Sequence, residues 1–434
     1  MKSIFITTLV LSITTSLFAQ DYRTHEELGI MQGIPVPKDK KVDKDNALLT
    51  FPFNRWSYQH MREIYPTSGI PKSEKINLIN RKIDSNVDNL VKVQKDSNEV
   101  VSLPTYIQET YTDALVVVKG NEIVYENYQN GMTSHQPHQM MSCTKSFAGL
   151  LALMAEEEGK LDEEELVTHY IPELNNTSAF NQAKVKHILD MTNSMSFDET
   201  YADPQSDIVH YGTVIGLMPE QENVSYANDI YEYLETLKID SSLKHGEVFN
   251  YQTPKTDVIN WLTNRATKED FQKGLYRIWN TIGAEDETYV ILDKNGALFA
   301  GGGLNASPSD LARFSMMMLN EGKVKEKQVV PSSVIKKLQK GANTEAFKNG
   351  SESALDNGEW SYRAQWWVRH TKGKEAIMAI GIHGQWIYID VGRDIAIVKQ
   401  SSQPNSADVA MEAYNVRAFD ALIDYFSNTQ NNSR

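Results

Sequence analysis

Hydrophobic and polar positions change period several times along the chain, and each change marks an element. Ala114, Val116 and Val118 interleave with Leu115 and Val117, then Lys119-Gly120-Asn121 breaks the run before Ile123-Val124-Tyr125. That pattern predicts a hairpin over 112–128. Phe147, Leu150, Leu151 and Met154 follow at i, i+3, i+4, i+7, the spacing of one buried helix face, and Glu156 to Gly159 mark its exit. From about 160 to 295 the chain reads as helices and loops, with apolar helix faces at Val185–Met191 and Val258–Leu262. Ser307-Pro308-Ser309-Asp310 is a helix start: a capping serine, proline at the first helical position and an acid in the first turn. Leu311, Phe314, Met318 and Leu319 supply its buried face, and Gly322 closes it. Residues 376–382, 385–390 and 394–400 then read as successive antiparallel strands, with a tight turn at Val391-Gly392-Arg393, and a last helix is predicted from about 407 to 425.

Strands near both ends with a helical block between them imply an α/β (α+β) fold. An antiparallel sheet is built from N- and C-terminal segments and flanked by helices, and a mainly helical subdomain is inserted. The expected division is a leader at 1–20, an irregular wrapping segment at 21–100, and a catalytic domain at 101–430. Within that domain the sheet part is about 101–160 and 295–430, and the helical part about 161–294. The wrapping segment is polar and interrupted by Pro35, Pro37, Pro52, Pro66 and Pro71, yet Phe51 to Tyr58 is aromatic enough to dock on something. No internal repeat or heptad array that would specify an oligomer is present.

Lys2 followed by the mostly apolar stretch Ile4–Phe18 and Ala19 reads as an export signal, so a periplasmic or secreted protein is expected. The stretch is short for a membrane span, and no later run approaches that length, so the mature chain is expected to lack one. A formal net charge of −14 argues against a nucleic-acid partner. The single cysteine, Cys143, removes disulfides and thiolate-rich metal centres, and it reads as a small buried residue. His135 and His138 have no third ligand nearby, so no metal is expected. The adjacent acids Asp198 and Glu199 point apart on an extended chain and do not read as a catalytic pair.

The chemistry concentrates at Ser142-Cys143-Thr144-Lys145, where a hydroxyl and an amine share the first turn of the predicted helix. A serine hydroxyl needs a base within hydrogen-bond reach, and a lysine serves once burial lowers its pKa. The same spacing also fits a serine N-cap followed by a solvated lysine. Tyr251, in a loop ahead of the 258–262 helix, could relay a proton or simply pack. Gly381-Ile382-His383-Gly384-Gln385 could offer a backbone N–H to an oxyanion, or be an ordinary hairpin.

The order of these elements resembles the serine β-lactamase and penicillin-binding-protein superfamily, and within it the 6-aminohexanoate-dimer hydrolases and related class C β-lactamase-like esterases. The carriers are Ser142 to Phe147, Met191 to Met195 with Tyr201 to Pro204, Tyr251-Gln252-Thr253, Gly301 to Leu304 leading into Ser307 to Phe314, and Gly381 to Gln385. The resemblance implies a β-lactamase/transpeptidase-like fold and a cofactor-free serine hydrolase acting on a small ester or amide. It implies Ser142 as nucleophile, Lys145 as base and Tyr251 as proton donor to the leaving group. The oxyanion would lie between the N–H of Ser142 and one from the strand near Gln385, with His383 and Gly384 beside the substrate. Two departures favour esters and short amides over β-lactams or cell-wall peptides. The tyrosine motif ends in Thr253 where Asn is usual, and no lysine stands among Gly381 to Gln385 to hold a substrate carboxylate.

Overall fold

The computed structural model describes residues 21–350 and 359–428. The expected leader, 1–20, lies outside the described residues. Eight strands form the main sheet: Asn80–Arg81 (β1), Thr112–Lys119 (β2), Glu122–Tyr128 (β3), Trp360–Arg363 (β4), Trp366–Arg369 (β5), Ala376–Gly381 (β6), Gln385–Asp390 (β7) and Ile395–Ser401 (β8). Their spatial order is β4-β5-β6-β7-β8-β2-β3-β1. Every pairing is antiparallel except that of the short β1 with β3. The last strand of the chain therefore lies beside the hairpin β2–β3, joining the two ends of the sequence in one sheet.

Helices organise the rest, among them Cys143–Glu157 (α1), Asp207–Ile215 (α2), Pro254–Thr267 (α3), Pro308–Leu319 (α4) and Val409–Asn428 (α5). The sheet is covered on both faces, which explains why β2 reads as an unbroken apolar run. Leu115 and Val117 pack with Ile395 and Ile397 in the layer of Phe419 and Leu422 on α5. Val116 and Val118 face the other way with Ala396 and Val398, in the core of Phe147 on α1 and Leu311 and Phe314 on α4. Ser307 caps α4 as its sequence predicts, accepting the N–H of Asp310.

Two features went unread in the sequence. A second, four-stranded sheet joins Thr67–Ile70, Thr288–Ile291, Leu304–Ala306 and His138–Gln139 in that order. These strands are two to four residues long, too short to show a period. Strands β4 and β5 are buried throughout, so their polar residues break the apolar pattern while being satisfied internally. Arg363 bonds Asp190 and Glu163, and Arg369 bonds Asp420.

The N-terminal segment docks as its aromatic patch suggested. Trp56, Tyr58 and Met61 are buried in the main core. Asn54 Nδ2 donates to Gln403 O at 2.9 Å, and Tyr58 O accepts the N–H of Gln139 at 2.8 Å. That second bond ties the segment to the strand leading into α1. No helix among the described residues is long and apolar enough to cross a membrane.

Candidate active site

Ser142 stands at the N-terminus of α1 but does not cap it with its side chain. Its Oγ instead accepts from Lys145 Nζ at 2.7 Å, and the same amine donates to Gly301 O, also at 2.7 Å. The N-cap-and-solvated-lysine alternative is thereby replaced by a buried pair, with Lys145 1% exposed and Ser142 7%. Burial lowers the Lys145 pKa to about 8, opposed by the negative charges of Glu199 and Asp257. Met141, just before the serine, has φ +48°, a left-handed conformation that costs a non-glycine residue energy and turns the chain sharply into the helix.

Backbone from Phe299 to Leu304 clasps this helix start. Met140 N–H donates to Leu304 O at 2.9 Å, and the N–H of Leu304 donates to Thr144 Oγ1 at 3.0 Å. Asp257, on α3, accepts the N–H groups of Ala300 and Gly301 and the hydroxyl of Tyr211. Its carboxyl is pushed up to about 7 by burial. Gly301 has to be glycine, because a Cβ there would lie 2.7 Å from both Thr253 Cγ2 and Phe299 Cε2. The glycine run thus lets a backbone carbonyl reach the lysine.

Tyr251 comes into this site. Lys145 Nζ lies 5.1 Å from its ring centroid, and the ring stacks on Trp367 at 5.7 Å. The loop carrying it is held by Lys255, a buried residue whose Nζ donates to Asn250 O at 2.7 Å and to Asn193 O at 3.1 Å. Burial lowers the pKa of that lysine well below its ordinary value. Glu199 accepts from Tyr201 OH at 2.9 Å and from both donors of Thr253.

A cleft of about 410 Å³ opens over Ser142. Glu199, Tyr251, Trp367, Ile380, Gly381 and Ile382 are among its walls. Along the β6–β7 hairpin, the residues that line it are Ile380, Gly381 and Ile382, ahead of the expected His383, Gly384 and Gln385. His383 N–H donates to Ser406 O, and its Nδ1 bonds Gln403 O at 2.7 Å. Gln385 Nε2 donates to Ser401 O at 2.6 Å. Gly384, at φ +89°, serves the turn.

Two residues with roles here, Lys255 and Asp257, were not singled out in the sequence, and Glu199 was weighed there only as a catalytic partner of Asp198 and set aside. Pro254, a favoured first helical residue, signals that α3 begins directly after Tyr251, which would have placed Lys255 and Asp257 in its first turn beside the site. Glu199 carries no such signal, since only the fold brings it under Thr253. Of the remaining candidates, His138 is buried against Asp113 at 3.2 Å, and His135 meets Asp286 at the surface. Cys143 is buried, which pushes its thiol up. No cluster of three or more metal-ligating side chains occurs among the described residues.

A sheet covered by helices on both faces, with a buried Ser–Lys pair at a helix start, defines a serine hydrolase of the β-lactamase type. The chain belongs to the Beta-lactamase family, whose profile matches residues 87–421. It is 31% identical over 356 residues to a 6-aminohexanoate-dimer hydrolase of Paenarthrobacter ureafaciens, covering 82% of this chain and 86% of the relative. A Bacillus anthracis protein provisionally named a 6-aminohexanoate-dimer hydrolase superposes with a TM-score of 0.80 at 29% identity, over 90% of this chain and 99% of the other. A penicillin-binding protein homologue from Pyrococcus abyssi shares the fold, with a TM-score of 0.54 at 18% identity over 72% and 74% of the two chains.

Proposed function

We propose that this protein cleaves short esters or linear amides through a covalent acyl-enzyme on Ser142. The observation that carries the reading is the 2.7 Å contact between Ser142 Oγ and a Lys145 amine whose pKa is lowered to about 8. In its neutral form the amine donates one hydrogen to Gly301 O and offers its lone pair to the serine proton. Ser142 Oγ then attacks the substrate carbonyl as Lys145 takes that proton. The developing oxyanion is held by the N–H of Ser142 at the start of α1 and by that of Ile382, just after β6. Ile382 replaces the region near Gln385 in this role because Ile382 lines the cleft beside the serine. Tyr251 hands a proton to the departing oxygen or nitrogen and is reprotonated by Lys145, which returns to its neutral form. Water then attacks the acyl ester as its proton passes to the neutral Lys145, which returns it to Ser142 Oγ when the acid leaves.

The relative named for 6-aminohexanoate dimer supports amide-bond cleavage as the reaction, since such a dimer is a short linear amide, while the acidic cleft wall of this chain suits a substrate without that dimer's carboxylate. The charged residues in the cleft wall are Asp198, Glu199 and Glu412, which favours a neutral or cationic leaving group over an anionic one. Export of the protein is part of the same proposal, and the N-terminal residue of the protein recovered from its host tests it. Function is tested with a fluorophosphonate probe and intact-protein mass. Stoichiometric label on the wild type and none on Ser142→Ala is expected; a folded wild type that takes no label overturns the reading.

A further inference from the structure

Two cavities meet at Ser142, and they differ in chemistry. The open cleft described above carries Tyr251 and the acids. The other is a smaller, mostly apolar pocket of about 50 Å³ that also reaches the serine, with Met141, Ile208, Val209, Ile215, Leu217 and Phe299 in its wall. The two share Ser142, Tyr201 and Ile382 and no other lining residue. No charged residue lines the pocket. Its polar side chains spend their groups elsewhere. Tyr201 OH donates to Glu199, Tyr211 OH to Asp257, Thr253 Oγ1 to Glu199 and Gln139 Nε2 to Gly302 O. Gln139 Oε1 is the one buried polar atom among them without a partner.

We propose that this pocket is the acyl-chain subsite and that it selects short, uncharged aliphatic acyl groups. The inference rests on the acyl-enzyme reading above and adds which half of the substrate goes where. A leaving group has to sit beside its proton donor, and Tyr251 lines the open cleft but not the pocket. The acyl chain of the same carbonyl therefore points away from Tyr251, past Tyr201 and Ile382, into the apolar side. There it gains by leaving water, about fourfold in binding for each methylene buried. A space of about 50 Å³ takes on the order of four water-sized groups, given about 10–15 Å³ for each. A charged tail of the same length would be stripped of water with no counter-charge to meet it.

The test is kcat/KM for 4-nitrophenyl esters of acetate, butanoate, hexanoate, octanoate and succinate. Wild type, Ile215→Ala and Val209→Phe are compared, each first titrated with the fluorophosphonate at Ser142. In the wild type, kcat/KM is expected to rise about 16-fold from acetyl to butanoyl, to fall by octanoyl, and to be at least about tenfold lower for succinyl than for butanoyl. Ile215→Ala should move the optimum to longer chains, and Val209→Phe should move it to acetyl. The Val209 side chain is only half-buried, so this second variant reports even if the cavity-forming one fails to fold. A fully labelled enzyme with a flat chain-length profile, or with an optimum unmoved by both substitutions, overturns the subsite while leaving the hydrolase reading intact. Failure of the label itself overturns both.

Discussion

Glu199 accepts the N–H of Thr253 at 2.9 Å and takes the hydroxyl of the same residue as well, so one carboxylate holds the loop two residues beyond Tyr251. It is also the largest charge contribution raising the pKa of Lys145 against burial. Glu199→Gln removes that charge, so the Lys145 titration should move down and the acid limb of the acylation rate should shift to lower pH. The anchor on Thr253 weakens at the same time, and kcat should fall severalfold. Pre-steady-state acylation measured across pH separates the two effects, because Thr253→Val should lower kcat and leave the position of the limb unchanged. A limb unmoved in Glu199→Gln would show that its charge does not act on the lysine.

Lys145 should govern both rate and stability over one pH window. As the base it is active when neutral, so acylation should climb with pH to a plateau above about 8. Lys145→Ala should lower acylation by about 10²–10⁴-fold, the usual worth of a positioned base. Its folded pKa lies below the unfolded value, so between the two the unfolded chain binds more protons and native stability rises with pH. Lys145→Met removes this dependence. The stability difference between variant and wild type should therefore change by about 3 kcal/mol between pH 8 and about 10.4, and should be constant below pH 8. Urea unfolding at a series of pH values measures it. A difference independent of pH across that range would mean the amine is not desolvated as described.

Gly149 fixes how α1 sits under the sheet. A Cβ at this position would lie 1.8 Å from Ala364 O, in the turn between β4 and β5. Backbone cannot yield as a flexible side chain would. The same turn is tied to the helix by Ser146 Oγ donating to Gln365 O at 2.7 Å and by Trp366 Nε1 donating to Ser146 O at 2.8 Å. Gly149→Ala should cost about 3 kcal/mol or more, at the upper end of overpacking effects, with a lowered urea midpoint. A variant as stable as wild type would mean that helix and turn can separate freely.

How far the sequence carried depended on whether a residue's role was local. The helix over Cys143–Glu157 and the strands of the C-terminal meander were legible, because each buries a periodic face of its own. Ser142 and Lys145 were legible as a pair because one helical turn fixes their spacing. Tyr251 was legible only through resemblance, since nothing in its neighbourhood distinguishes it from the other tyrosines. Lys255 and Asp257 hold backbone carbonyls and amides from segments about 43 to 64 residues away, so their partners are set by tertiary structure. The placement of Ile382 in the cleft needed the register of the hairpin, with Gly381 opposite Gln385, which leaves 382–384 as the turn. Residue types alone do not specify that register.

Anionic β-lactams should be poor substrates, and salt should reveal why. The strand running to Gly381 brings no lysine or arginine to the cleft, while Asp198, Glu199 and Glu412 are in its wall. A substrate carboxylate about 8 Å from one such acid is opposed by roughly 2 kcal/mol at an effective dielectric of about 20. Two acids then suppress binding by more than about 100-fold, before the cation that normally offsets this is counted as missing. A chromogenic cephalosporin should therefore turn over at least about 100-fold more slowly than 4-nitrophenyl butanoate. Raising ionic strength from about 0.01 M to 1 M shortens the screening length from about 30 Å to 3 Å. The cephalosporin rate should rise severalfold over that range, while the neutral ester rate stays level. Equal turnover of the two substrates at low salt would mean that the acidic wall does not select against anions.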